Sequence, residues 1–115
     1  MAVSYDDSIL GTIRKLVGGE ENGDAFDKDL IVNINSSFNI LQQLGVGPVE
    51  GFAIEDENAK WSDFVDENRF NLCREYLYLR ARLIFDPPVG SVLTAIQEQI
   101  KEDEWRLREE QEVIW

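Results

Sequence analysis

Histidine is missing from this sequence altogether, and cysteine occurs once, at Cys73. Without histidine there is no Ser-His-Asp or Cys-His pair, no imidazole zinc site and no histidine general base. A single cysteine forms no intrachain disulfide. No apolar run approaches the length needed to cross a bilayer. The opening "MAVSYDDSIL" is acidic and lacks the basic start and long apolar stretch of a signal peptide. The expectation is therefore a soluble protein kept in the cytoplasm where it is made. Basic residues are scarce too: 11 Lys and Arg stand against 23 Asp and Glu, for a net charge of -12. Such a chain repels nucleic-acid phosphates on average.

What is present suits a folded domain. Hydrophobic residues make up 43% of 115 positions, enough for a modest core in one domain. The charge is distributed unevenly. Residues 45–67 hold seven acids against Lys60. Residues 68–85 reverse the sign, with Arg69, Arg74, Arg80 and Arg82 against Glu75. Residues 86–115 return to acid, eight against three. A basic segment between acidic flanks suggests charge pairing within or between subunits, and the four arginines are the candidates for it. For any single charge, a solvated acidic surface is the plainer reading.

Hydrophobic spacing predicts a helical protein. Ile9, Ile13 and Leu16 recur at helical intervals, giving a short helix from roughly Asp6 to Val17, capped by Asp6 or Asp7. "VGGEENG" ends it. A second helix is expected from Ala25 to Leu44, with Asp24 as cap and Asp27 as a weak capping-box partner. Its apolar face is Phe26, Leu30, Ile34, Phe38 and Leu41. Its other face carries Asn33, Asn35, Ser36, Ser37 and Asn39, read as ordinary polar surface or, alternatively, a subunit contact. Residues 45–61 break the helical pattern with three glycines and Pro48. There Phe52 and Ile54 alternate with Ala53 and Glu55, as a short strand or hairpin arm would. "WSDFVDE" suits a short helical turn.

The central helix is expected from Asn68 to Phe85. It carries two apolar stripes, Phe70-Cys73-Leu77-Ala81-Ile84 and Leu72-Tyr76-Leu79-Leu83, so both sides should be buried. Its arginines lie along the edges, where long stems cover apolar surface while the heads reach carboxylates. Asp86, Pro87 and Pro88 then stop the helix, because proline lacks an amide hydrogen and clashes with the preceding turn. Ser91 is a plausible cap for a last helix from about Val92 to Glu112. Val92, Leu93, Ile96, Ile100 and Leu107 share one side of it, and Trp105 falls on the opposite side. "FDPP" thus reads as a rigid corner between the central helix and a long acidic arm. The expected fold is mainly α: a compact bundle of about four to five helices, a Gly-rich loop or short β-hairpin, and a long C-terminal helix.

No motif for a cofactor, a metal or catalysis emerges. "VGGEENG" lacks the Lys-Ser/Thr of a phosphate loop. Residues 56–67 have acids at calcium-like spacing, but Trp61 stands where an EF-hand needs glycine. Glu55, Asp56 and Glu57 are adjacent acids in a loop, which are usually just solvated. Cys73 sits on a buried stripe, where packing outweighs reactivity.

Taken in order, "FDKDLIVNINSSFNILQQLGVGP", "WSDF", "YLYLRARLIFDPP" and "AIQEQIKEDEWRL" resemble the short head–tail connector proteins of tailed bacteriophages and prophages, also called adaptor or head-completion proteins. The resemblance runs from about residue 6 to 108 and fits the last residues least. It implies one connector domain over residues 1–115, with a Gly-rich loop at 45–60 and a docking arm at about 108–115. It also implies a virion protein, assembled in the host cytoplasm, that forms a ring expected to be twelve-fold. The ring would dock on the portal, extend the DNA channel and receive the next stopper or tail component. Duplex DNA would pass without sequence-specific binding, and neither a reaction, a cofactor nor a membrane is implied.

Acidic walls suit such a conduit, because they repel the duplex and let it slide. Glu50, Glu55, Asp56 and Glu57 are the candidates for the channel or stacking loop. Trp105, Val113, Ile114 and Trp115 are candidates for docking on the portal or a neighbouring subunit, and Asp86, Pro87 and Pro88 for setting the angle of the arm. The competing class is a small acidic DNA mimic that blocks a nucleic-acid enzyme. It would remain a monomer or dimer where a connector would bind a portal or form rings. A metal-dependent hydrolase ranks far below both.

Overall fold

The computed structural model describes residues 4–112, with side chains described through residue 109. Five helices follow one another in that span: α1 (Ile9–Leu16), α2 (Gly23–Gln43), α3 (Trp61–Phe64), α4 (Glu67–Phe85) and α5 (Ser91–Glu112). Among the described residues there is no strand, only an isolated bridge between Ser8 and Lys60. Of the two alternatives for residues 45–60, a Gly-rich loop or a short hairpin, the structure has the loop, an irregular strap.

The helix starts differ from the sequence expectation in instructive ways. Ser8, not Asp6 or Asp7, caps α1, its hydroxyl accepting from the Gly11 amide at 3.0 Å. Asp7 accepts from the Ser4 amide in the turn before it. The second helix begins at Gly23 without a side-chain cap, and Asp24 lies inside its first turn. Asp27 is drawn away from any capping box by Arg14 of α1, which grips it with two hydrogen bonds of 2.9 Å. Asp66 caps α4 through the Arg69 amide at 3.1 Å.

Helix α4 is the hub, packing against each of the other four. Phe70, Cys73, Leu77 and Ala81 are buried, as are Tyr76 and Leu79 from the second stripe. Ile84 departs from the expectation: at the corner end of the helix it is 63% exposed. On α1 and α2, Ile9, Leu10, Ile13, Leu30, Ile34, Phe38 and Leu41 are buried. Trp61 on the short α3 plugs the middle of this core at 0% exposure. Its indole N–H donates to the Thr12 hydroxyl at 3.2 Å, so burial leaves no orphan donor.

The corner ends α4 at Phe85, whose ring packs edge-on against Phe26 of α2 with centroids 5.2 Å apart. The Asp86 amide closes the last turn on the Arg82 carbonyl. Gly90 has a φ of 65°, a left-handed value that favours glycine, and α5 starts at the next residue. The last helix then runs antiparallel to α4. Tyr76 faces Glu104, and Leu83 and Arg80 share a groove with Gln97 and Ile100. Ile96, Ile100 and Leu107 are buried along this seam, while Val92 remains half exposed.

Candidate docking and channel surfaces

The strap between α2 and α3 holds four of the candidate residues. Its backbone is pinned rather than loose. The Asn35 side chain accepts from the Ile54 amide at 2.8 Å and donates to the Ile54 carbonyl at 3.0 Å, mimicking a strand partner. Gln42 donates to the Val49 carbonyl. Val46 and Ile54 are buried, and Phe52 packs against Phe38 and Phe64 with centroids 5.1 and 5.2 Å away. At Gly47 a left-handed φ of 90° coincides with tight space: a Cβ there would meet the Phe64 ring at 2.5 Å. The apolar alternation in the strap is therefore real, but it inserts single side chains into the helical core instead of pairing with a second strand.

With the strap so anchored, its acids face outward. Glu50, Glu55, Asp56 and Glu57 are all exposed. Two of them are engaged locally. Asp56 accepts from the Asn58 amide at 2.8 Å. Glu57 forms an ion pair with Arg14, the guanidinium that also holds Asp27. The hydrogen bonds to Asp27 hold Arg14 still more firmly in its charged form, against a smaller opposing effect of burial. The free acidic surface of the strap thus rests on Glu50, Glu55 and Asp56, with Glu57 partly neutralised.

The four arginines of α4 are used inside the subunit. Arg69 lies 3.9 Å from Asp66 at the helix start, and Arg82 lies 3.8 Å from Asp86 at its end. Arg74 stacks over Phe70 at 5.6 Å from the ring centroid. Arg80 donates from Nε to the Ser37 hydroxyl at 2.8 Å and lies over the Tyr76 ring. Ser37 and Asn33, on the face of α2 expected to be polar surface or a subunit contact, are consequently buried within the chain, while Ser36 and Asn39 stay exposed.

The corner and the arm offer the other candidate surface. Asp86 and Pro87 are exposed and Pro88 is partly covered. Ile84, Val89 and Val92 flank the corner with 63%, 84% and 48% exposure, an apolar set the sequence pattern had placed partly in the core. Trp105 points away from the seam at 59% exposure. Val113, Ile114 and Trp115 lie outside the described residues.

Two acids escaped the sequence reading. Asp103 of α5 is 0% exposed, and Glu75 of α4 lies against it. The signal was available. Position 103 falls between Ile100 and Leu107 on the apolar stripe, and Glu75 falls between Leu72 and Leu79 on the second stripe of α4. Among the described residues no group of three or more acidic, cysteine or histidine side chains is arranged to hold a metal. No helix among them is long and apolar enough to cross a membrane.

Comparison with known families is decisive here. The profile of the phage connector protein family matches residues 9–113. The chain belongs to the phage connector family. The match covers the helices from α1 to α5 and extends one residue past Glu112. Connector proteins are structural components of phage particles, in keeping with the head–tail resemblance of the sequence. The searches of curated proteins and of solved structures returned no match.

Proposed function

We propose that this connector is the subunit of a ring at the head–tail interface of the virion. The ring docks on the portal, continues the DNA channel and presents a surface to the next stopper or tail protein. The observation that carries this reading is the family match over nearly the whole chain. It favours a connector over an acidic DNA mimic.

Particular surfaces take particular roles in the proposal. The acidic strap at Glu50, Glu55, Asp56 and Glu57 faces the lumen or the next ring, where its charge keeps the duplex mobile. A closed ring needs a head-to-tail interface between unlike faces of neighbouring subunits. The partly exposed heads of Arg69, Arg74, Arg80 and Arg82 contribute the basic side of it, beyond their contacts within the subunit. The corner at Asp86, Pro87 and Pro88 sets the direction of α5, and Trp105 with Val113, Ile114 and Trp115 docks the arm. A buried Trp side chain can contribute roughly 2–3 kcal/mol of apolar transfer energy before ordering costs.

The test is reconstitution. The chain is mixed with the portal protein of the same phage and examined by native mass spectrometry and negative-stain electron microscopy. A ring of this chain stacked on the portal is expected, and deletion of residues 113–115 should weaken it while leaving the melting temperature of the subunit unchanged. A subunit that stays monomeric beside a well-formed portal would refute the proposal.

A further inference from the structure

The seam between α4 and α5 contains the least expected chemistry in the molecule. Asp103 is fully buried at a position whose helical neighbours, Ile100 and Leu107, are core residues. Its Oδ1 accepts from the Gln99 side-chain Nε2 at 2.9 Å, while its Oδ2 meets no donor. The group set against it across the seam is another acid, Glu75 of α4. Two carboxyls in contact cannot bond while both are ionised, since both are acceptors only, but one proton between them makes a strong bond. The orphaned oxygen is therefore the natural seat of a shared proton.

The surrounding charges do not replace that proton. Arg106, one turn further along α5, is the cation that acts on Asp103, and its guanidinium also lies 3.9 Å from Glu102. Arg74 of α4 lines an adjoining groove with Glu75 and Arg106. Just beyond, Tyr76 of α4 donates to Glu104 of α5 at 2.7 Å. Burial, followed by Glu104, pushes the Tyr76 phenol up, so that contact keeps its proton across the neutral range. Arg80 lies over the same ring.

We propose that Asp103, set against Glu75, forms a proton-dependent latch that clamps α5 onto α4 while Asp103 holds its proton and loosens the last helix when Asp103 ionises. The proposal goes beyond the connector reading and does not depend on it. Burial, followed by the contact with Glu75, pushes the Asp103 carboxyl up to about 7. An acid whose pKa is higher in the folded chain than in the unfolded one stabilises the fold fully below the unfolded value. That stability is lost progressively as pH rises from the unfolded value, 3.8, through the folded value of about 7. The sequence supplies a clean background, because without histidine it lacks the side chain that ordinarily titrates in this range.

Three measurements on the whole chain test the latch. In a carboxyl carbon-13 NMR titration of the unaltered protein, the Asp103 carboxyl should titrate near pH 7. Titration of every carboxyl below about pH 5 would overturn the proposal. Thermal denaturation should show the melting temperature of the unaltered protein falling by on the order of 5 °C between pH 6 and 8. Asp103→Asn keeps the shape and offers Glu75 a permanent donor. It should remove that slope and melt higher than the unaltered protein at pH 8. A variant with the same slope as the parent would refute the latch. At a fixed pH of 8, amides of α5 in Asp103→Asn should exchange with deuterium several-fold more slowly than in the parent, with α1 to α3 unchanged. Equal exchange in α5 would show that the pair does not hold the helix. Should Asp103→Asn fail to fold, the titration of the unaltered chain decides alone.

Discussion

Towards α3 the central helix presents Phe70, packed against Trp61, whereas towards α5 it presents Glu75, Tyr76 and Leu83. The first face is sealed by rings and aliphatic chains, and the hydrogen bonds buried beside it involve no carboxyl, although the Asn33 Oδ1 is left without a partner. Trp61 donates to Thr12, and Asn35 closes both backbone bonds of Ile54. The second face is sealed by fewer apolar groups and by acids. Tyr76 meets Glu104, and Asp103 is set against Glu75 with its Oδ2 meeting no donor. A neutral hydrogen bond has the same strength at any pH near neutrality, whereas a carboxyl pair depends on a proton. The difference separates a body built to stay folded from an arm whose attachment can be adjusted. In the proposed ring that division would be useful, because the subunit would hold its shape while its arm met a partner.

The comparison is broken most severely in the body. Trp61→Ala should remove about 3–5 kcal/mol of stability, since it opens a large cavity and leaves the Thr12 hydroxyl without its donor. That is a large share of the stability of a domain this size. Urea denaturation would measure it, and a loss below about 1 kcal/mol would mean that the plug is not central to the core. Asn35→Ala should cost about 2 kcal/mol, because the Ile54 amide and carbonyl lose their partner beside a buried side chain. This cost should be equal at pH 5.5 and pH 8, in contrast to the α4–α5 seam. Protease cleavage within residues 49–58 should quicken in the same variant, and unchanged cleavage would show that the strap is held by Phe52 and Ile54 alone.

The smallest effect on stability belongs to the outer face of α5. Trp105→Ala should change the unfolding free energy by less than about 0.5 kcal/mol, as expected for an exposed side chain outside the seam. It should nevertheless weaken ring or portal binding. Normal assembly by this variant would remove Trp105 from the docking surface. A sharp loss of stability would place it in the subunit's own packing.

The sequence by itself determined the helices and the hub. The spacing of Leu30, Ile34, Phe38 and Leu41, the double stripe of residues 70–83, and the two prolines at 87 and 88 each follow from local rules of periodicity and backbone chemistry. Those rules need no knowledge of distant contacts. The order of motifs also sufficed to suggest the connector family, which the profile match bears out. Other features were decided only when the chain closed on itself. Residues 52 and 54 alternate as a strand would, but no second strand lies beside them, and Asn35 takes the backbone bonds instead. Asp24 read as the cap of α2 with Asp27 as a weak capping-box partner, but Arg14, a helix away, claims Asp27. Ser37 reads as surface in one dimension and is buried in three, because Arg80 arrives from α4. The acids at 75 and 103 fit the apolar stripes as positions and violate them as chemistry. Only the antiparallel register of α4 and α5 sets one carboxyl against the other, since their separation along the chain is unrelated to their distance across the seam.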